Sequence, residues 1–143
     1  MKQITAFYLE GCLFGMDSMY VNAILPPKTT LKIPQEQEQL FLGVMQLVDG
    51  RLIHVINTRK LLGLSPSPSE DAKVLVLQCD TLSMGLVADG PPRVLEIDES
   101  TIARHLPISQ INTEYFAGTV NDKDGKVVLL LNMPLLLSVL NPS

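Results

Sequence analysis

Residues 40–64, LFLGVMQLVDGRLIHVINTRKLLGL, constrain the fold more than any other stretch, because they hold a strand, a reversal, a second strand and a capped helical turn in succession. Asp49-Gly50 between alternating apolar residues predicts a hairpin. A two-residue reversal that follows strand twist needs positive φ, which Gly tolerates and Asp accepts. The returning strand places Leu52, His54 and Ile56 on one face and Ile53 and Val55 on the other. Both faces are largely apolar, so the expectation is a strand covered on both sides. Asn57 then offers a side-chain acceptor to the first free N–H groups of a short helix at Thr58-Arg59-Lys60-Leu61-Leu62, and Gly63 suits its left-handed end.

The same rhythm runs through the rest of the chain. Residues 4–9 alternate imperfectly, break at Glu10-Gly11 and resume over residues 12–25, read as an interrupted strand pair with a bulge or bend near Gly15. Residues 28–39 are polar and Pro-punctuated, predicting an exposed loop or single helical turn, and residues 65–71 form a second polar loop whose prolines exclude a central strand. Residues 73–78 and 82–88 read as strands joined at Asp80-Thr81. After the break at Asp89-Gly90-Pro91-Pro92, residues 93–97 run extended again. Asp98 caps a helical turn, and residues 121–125 reverse the chain into a strand over 126–131. Asn132 caps a C-terminal helix that begins at Met133-Pro134, with Leu135, Leu136, Val139 and Leu140 as its apolar face. Many short strands separated by turn residues argue for a barrel or sandwich.

At 143 residues and 46% hydrophobic content the chain suffices for one well-buried domain. Its net charge of -4, with scattered basic residues, argues against a nucleic-acid or anionic-membrane binder. The longest apolar run, residues 127–131, is far short of the roughly 20 residues that span a bilayer. Residues 1–11 do not read as a signal peptide, so the expectation is a cytoplasmic protein without membrane insertion. Cys12 and Cys79 belong to no CxxC pair and read as buried free thiols.

Catalytic chemistry is poorly represented. His54 and His105 have no Ser, Cys or Asp arranged as a triad, and no phosphate loop, dinucleotide fingerprint or metal-ligand spacing is present. The oxygen-rich segment 121–125 lacks the twelve-residue calcium loop with its closing Glu and reads as a turn. Glu96, Asp98 and Glu99 read as a solvated, helix-capping cluster. No catalytic residue, metal or cofactor is expected. The low charged fraction of 18%, with six Met and many Leu, leaves apolar side chains to spare for a docking surface.

Four blocks, in order, resemble the CheW-like domain, the adaptor that couples chemoreceptors to the CheA histidine kinase in bacteria. They are Phe14-Gly15-Met16-Asp17 through Val21 and Ile24; Gly43-Val44 through Leu47 and Asn57-Thr58-Arg59; Gly85-Leu86-Val87-Ala88-Asp89 with Val94-Leu95; and Gly118 with residues 127–137. The resemblance implies a mainly β fold of two small interwoven barrels sharing a hydrophobic core, with short helices. It implies two partners, the regulatory domain of a CheA-type kinase and a receptor cytoplasmic tip received in a groove between the barrels. The candidate partner-binding positions are Val21, Ala23, Leu25, Gly43, Val44, Leu47, Val48 and Asp49.

Two departures from the family pattern bear on that site. Val21-Asn22-Ala23-Ile24 stands where the family commonly has Val-x-Glu-Ile, and Gln46-Leu47-Val48-Asp49-Gly50 where it has Asn-Leu-Arg-Gly. An acid and an Arg are both missing. Losing them together avoids stranding either charge, the costly outcome when a pair is buried. The resulting expectation is a divergent adaptor with a more apolar groove. The competing readings are a related regulator that binds only kinase or receptor, and a small-ligand-binding barrel.

Overall fold

A computed structural model of the chain describes residues 1–26, 30–32, 40–64, 72–104 and 113–140. The strands are β1 (Lys2–Leu9), β2 (Cys12–Asp17), β3 (Val21–Leu25), β4 (Thr30–Lys32), β5 (Phe41–Gln46), β6 (Leu52–Ile56), β7 (Lys73–Cys79), β8 (Leu82–Ala88), β9 (Arg93–Ile97), β10 (Phe116–Asn121) and β11 (Val127–Leu131). Helix α1 covers Thr58–Leu61 and α2 covers Met133–Leu140.

The strands form a five-stranded sheet, β10-β11-β2-β1-β9, and a six-stranded sheet, β3-β7-β8-β6-β5-β4. Each is antiparallel except at one parallel pair, β11 beside β2 and β6 beside β8, where strands distant in sequence meet. The first sheet takes strands from both ends of the chain and the second from its middle, which is how the two barrels interweave. Beyond β9 the chain returns to β10 through paired backbone hydrogen bonds between Ala103 and Thr119, closing the first barrel. Gly118 makes this closure possible, since a Cβ there would run into the Ala103 carbonyl oxygen.

Strand alternation explains why so many strands read as continuous apolar runs. In β1, Ile4 and Ala6 face the interior of the first barrel, while Phe7 and Leu9 face a cluster shared by both barrels. Val128 and Leu130 of β11 face that interior, and Leu129 and Leu131 the shared cluster. In the second barrel Val74 and Val76 point inward and Leu75 and Leu77 outward into the shared cluster. Each such strand therefore buries both faces, the condition under which the polar half of the alternation disappears.

Strand β6 meets this condition only in part. Ile53 and Val55 face the second barrel and Ile56 reaches the shared cluster, but Leu52 and His54 are exposed. The expectation of cover on both sides fails there because β6 runs beyond the shared cluster. His54 instead lies edge-on to Phe41, ring centroids 5.5 Å apart.

Several boundaries also differ from the sequence reading. Ala6 pairs with Gly15 in an unbroken register, so no bulge occurs at Gly15; the chain turns at a 3-10 segment, Ser18–Tyr20, capped by the Asp17 carboxylate. Thr30–Lys32, expected in a loop, pairs with β5, while residues 27–29 and 33–39 lie outside the described residues, as do the 65–71 loop and His105. In α2 the buried side chains are Met133, Leu136, Leu137 and Leu140, spaced i, i+3, i+4, i+7, whereas Leu135 and Val139 are exposed. Cys12 and Cys79 are free thiols, as expected, but half-buried at the edge of the shared cluster.

The cap residues behave as their chemistry requires. Asn57 Oδ1 accepts from the Lys60 N–H at 3.3 Å, Asn132 Oδ1 from the Leu135 N–H at 3.2 Å, and Asp98 Oδ1 from the Ser100 N–H at 3.0 Å. Arg59, on the first turn of α1, forks onto Asp89 at the end of β8, with Nε to Oδ1 at 3.1 Å and Nη2 to Oδ2 at 2.6 Å. Its Nη1 reaches Glu10 Oε1 at 3.0 Å, and Asp89 Oδ2 also accepts the Glu10 N–H at 2.9 Å. Glu10 belongs to the β1–β2 turn, so this ion-pair network ties the first barrel to the second.

Candidate partner-binding groove

The groove is built from the β5–β6 loop and edge strand β3. In the loop, the Gly50 N–H donates to the Leu47 carbonyl at 2.9 Å and the Leu47 N–H to the Arg51 carbonyl at 2.8 Å. This is a reversal with Gly50 alone left-handed, at φ 90°, and not one with both Asp49 and Gly50 at positive φ. The difference has a local cause: the Asp49 carboxylate accepts the Arg51 N–H at 3.1 Å and the Arg51 Nε at 2.7 Å, holding the loop from within. Those contacts, led by the Arg51 backbone N–H, hold the Asp49 pKa below its ordinary value. Val48 is left at the tip, fully exposed.

Opposite the loop, β3 slips in register against β7 between Val21 and Ala23. Asn22, the extra residue, turns outward and donates Nδ2–H to Gln78 Oε1 at 2.7 Å. Beyond the bulge, Ala23 and Leu25 lean onto the inner cluster of the second barrel, as Leu47 does from the loop side. Between them opens a groove of about 270 Å³ lined by Asn22, Ala23, Leu25, Leu47, Val48, Asp49, Arg51 and Val76.

Five of the eight candidate positions thus come together: Ala23, Leu25, Leu47, Val48 and Asp49. Val21 instead packs against the shared cluster. Gly43 occupies a bulge of β5 opposite Val55, with φ 151°, and Val44 pairs with His54 on the neighbouring strand; neither lines the groove. All eight lie on or beside the second sheet, so this groove opens on one barrel and not between two. The sequence reading missed Asn22, Arg51 and Val76. Val76 follows from the alternation of β7 and Arg51 from its place after Gly50, but nothing local signals the bulge that brings in Asn22.

Ala23 and Val48, the two positions read from the sequence as departures from the family pattern, face the same groove. Its charges are Asp49 and Arg51, already paired with each other. A second depression of about 350 Å³, lined by Leu52, Ile53, His54 and residues 81–84, shares Arg51 with the first, so the guanidinium stands on the ridge between them.

The family model for the CheW-like domain matches residues 3–141. The fold is similar to that of the scaffolding protein TtCheW from Thermoanaerobacter tengcongensis, with a TM-score of 0.78 and 27% sequence identity over 92% of this chain and 84% of that one. No protein of curated function matches the chain. With nearly the whole sequence fitting one family model and both barrels reproduced in a scaffolding relative, the chain belongs to the CheW-like domain family.

Proposed function

We propose that this chain is a non-enzymatic chemotaxis-type signalling adaptor that couples chemoreceptors to a CheA-family histidine kinase. The whole chain acts as one unit of two intertwined barrels, in the cytoplasm, touching the regulatory domain of the kinase and the cytoplasmic tip of a receptor. The observation that carries this reading is the apolar groove over Ala23, Leu25, Leu47 and Val48 on a chain that matches the CheW-like domain from end to end. Among the described residues no helix is long and apolar enough to cross a membrane.

The groove accepts apolar side chains of the receptor tip, and loss of the acid and Arg common in relatives narrows the set of receptors it accepts. A stable contact of this kind typically buries about 1,200 to 2,000 Å² in total, so the groove is the centre of a larger surface. Against a small-ligand barrel stands the packing: both barrel interiors are filled by aliphatic side chains, and added Cβ atoms at Gly15 and Gly85 would meet valine methyls at 3.0 and 2.7 Å.

Calorimetric titration with the isolated regulatory domain of the CheA-type kinase from the same cell, then with a receptor-tip fragment, tests the reading. Binding to both is expected. Binding to one alone makes the chain a regulator that occupies a site without coupling, and binding to neither, with folded partners, refutes the proposal. The double substitution Ala23→Glu with Val48→Arg leaves affinity for the chain's own receptor unimproved; a marked gain overturns the idea of a retuned groove.

A further inference from the structure

The groove's cation is placed for more than holding its own loop. Arg51 Nε is pinned to Asp49 Oδ2 at 2.7 Å, which fixes the plane of the guanidinium. Its Nη1 lies 3.5 Å from Ser83 Oγ, the limit of a hydrogen bond, and no other hydrogen bond from the guanidinium is made among the described residues. An Arg side chain has five N–H donors in a rigid fork that matches a carboxylate. Most of that capacity here points outward from a side chain 44% exposed.

The loop does not need those donors. It is closed by the Gly50 N–H to Leu47 and by the Asp49 carboxylate on the Arg51 backbone N–H, both of which a neutral residue at 51 would preserve. The rest of the rim offers no competing cation. Asn22 donates one of its two amide hydrogens to Gln78, Asp49 is the anion already paired with Arg51, and Ala23, Leu25, Leu47, Val48 and Val76 are apolar. Asp49 balances the charge of Arg51 but occupies only part of its fork, so the donors left over beside an apolar groove suit a second carboxylate flanked by apolar side chains, as Arg59 is shared by Asp89 and Glu10.

Resting on the adaptor reading above, we propose that Arg51 is the specificity-determining residue of this groove and selects a receptor-tip segment that presents an Asp or Glu next to its apolar contact residues. Asp49 is its positioning residue. The chain carries a net charge of -4, so long-range attraction for an acidic segment is weak and selection acts at short range, through the bidentate contact. Discrimination therefore resides in the dissociation rate.

The test measures equilibrium and kinetic binding of the receptor-tip fragment and of the kinase regulatory domain to the full chain and its Arg51→Gln and Arg51→Lys variants. Urea unfolding serves as a check on folding. Arg51→Gln is expected to weaken receptor-tip binding at least tenfold, mainly through faster dissociation, and to change kinase binding less than twofold. Arg51→Lys, which keeps the charge but not the fork, is expected to recover little. Neutralising each acid of the tip in turn to its amide identifies one whose loss costs nothing further in Arg51→Gln. Unchanged receptor binding by a folded Arg51→Gln chain, or full recovery with Lys, overturns this assignment while leaving the adaptor reading intact. Failure of the unaltered chain to bind any receptor tip overturns both.

Discussion

Removing the Asp89 carboxylate should loosen the junction between the barrels. In Asp89→Ala the carboxylate's three hydrogen bonds are lost: two from the Arg59 fork, at 3.1 and 2.6 Å, and one from the Glu10 N–H, at 2.9 Å. Bonds to an ionised group contribute about 1.5–3 kcal/mol each when buried. Arg59 and Asp89 are 14% and 19% exposed, so water recovers part of the loss, and about 3 kcal/mol in total is the expected cost. With a urea slope of about 2 kcal/mol/M, the unfolding midpoint falls by about 1.5 M. Far-UV circular dichroism is the suitable probe because the chain has no Trp. Arg59→Met retains the aliphatic stem and removes the charge. In the double-mutant cycle the pair should couple by about 1.5 kcal/mol, since the Glu10 N–H bond is lost whether or not Arg59 is present. Additivity within about 0.5 kcal/mol, or a cost for Asp89→Ala below about 1 kcal/mol, would refute the inference that this network joins the barrels.

Three further substitutions probe packing inside the same frame. A Cβ at Gly85 would stand 2.7 Å from Val74 Cγ1, so Gly85→Ala should destabilise by about 2 kcal/mol through overpacking. Val74→Ala should cost a similar amount, about 2 kcal/mol, as a cavity, and the double variant should be more stable than the sum by more than about 1 kcal/mol in urea unfolding; simple additivity would show that Val74 is not the limiting neighbour. Thr58 is wholly buried and its Oγ1 has no hydrogen-bond partner among the described residues. Thr58→Val keeps the shape and removes an unsatisfied hydroxyl, so thermal unfolding should reveal a gain of about 1 kcal/mol, and a loss would mean that the hydroxyl has a role the packing does not reveal.

Much of the β architecture is legible locally. Gly50, Gly63 and Gly125 mark reversals at positive φ, and Asn57, Asp98 and Asn132 announce helical starts because their side-chain acceptors reach only the next few N–H groups. These are short-range effects, complete within a turn of chain, and need no partner from elsewhere. The alternation of β1, β7 and β11 likewise fixes which residues share a face. It does not tell which face meets the barrel interior and which the shared cluster, since both are aliphatic.

The candidate groove was only half legible. Ala23 and Val48 stand out as departures from the family pattern, but their juxtaposition depends on a register slip in β3 and on the second barrel bringing the β5–β6 loop across from it. The same holds for α2, where four leucines and a valine offer two plausible apolar stripes, and only docking on β7 and β8 selects Met133, Leu136, Leu137 and Leu140. Gly43 and Val44 look like groove residues in a linear reading, yet the bulge in β5 and the pairing of Val44 with His54 keep them out of it.

Local chemistry was enough for most of the strands, turns and caps and for the family, which rest on contacts within a few residues or on patterns that alternation preserves; it was not enough for β4 or for the turn at Ser18–Tyr20. The tertiary structure alone decided which side of each apolar strand is shared between barrels, where Arg59 finds Asp89 and Glu10, and which residues form the groove. The reason is physical: these depend on register and on contacts between residues far apart in the chain, and identical local chemistry is compatible with more than one such arrangement.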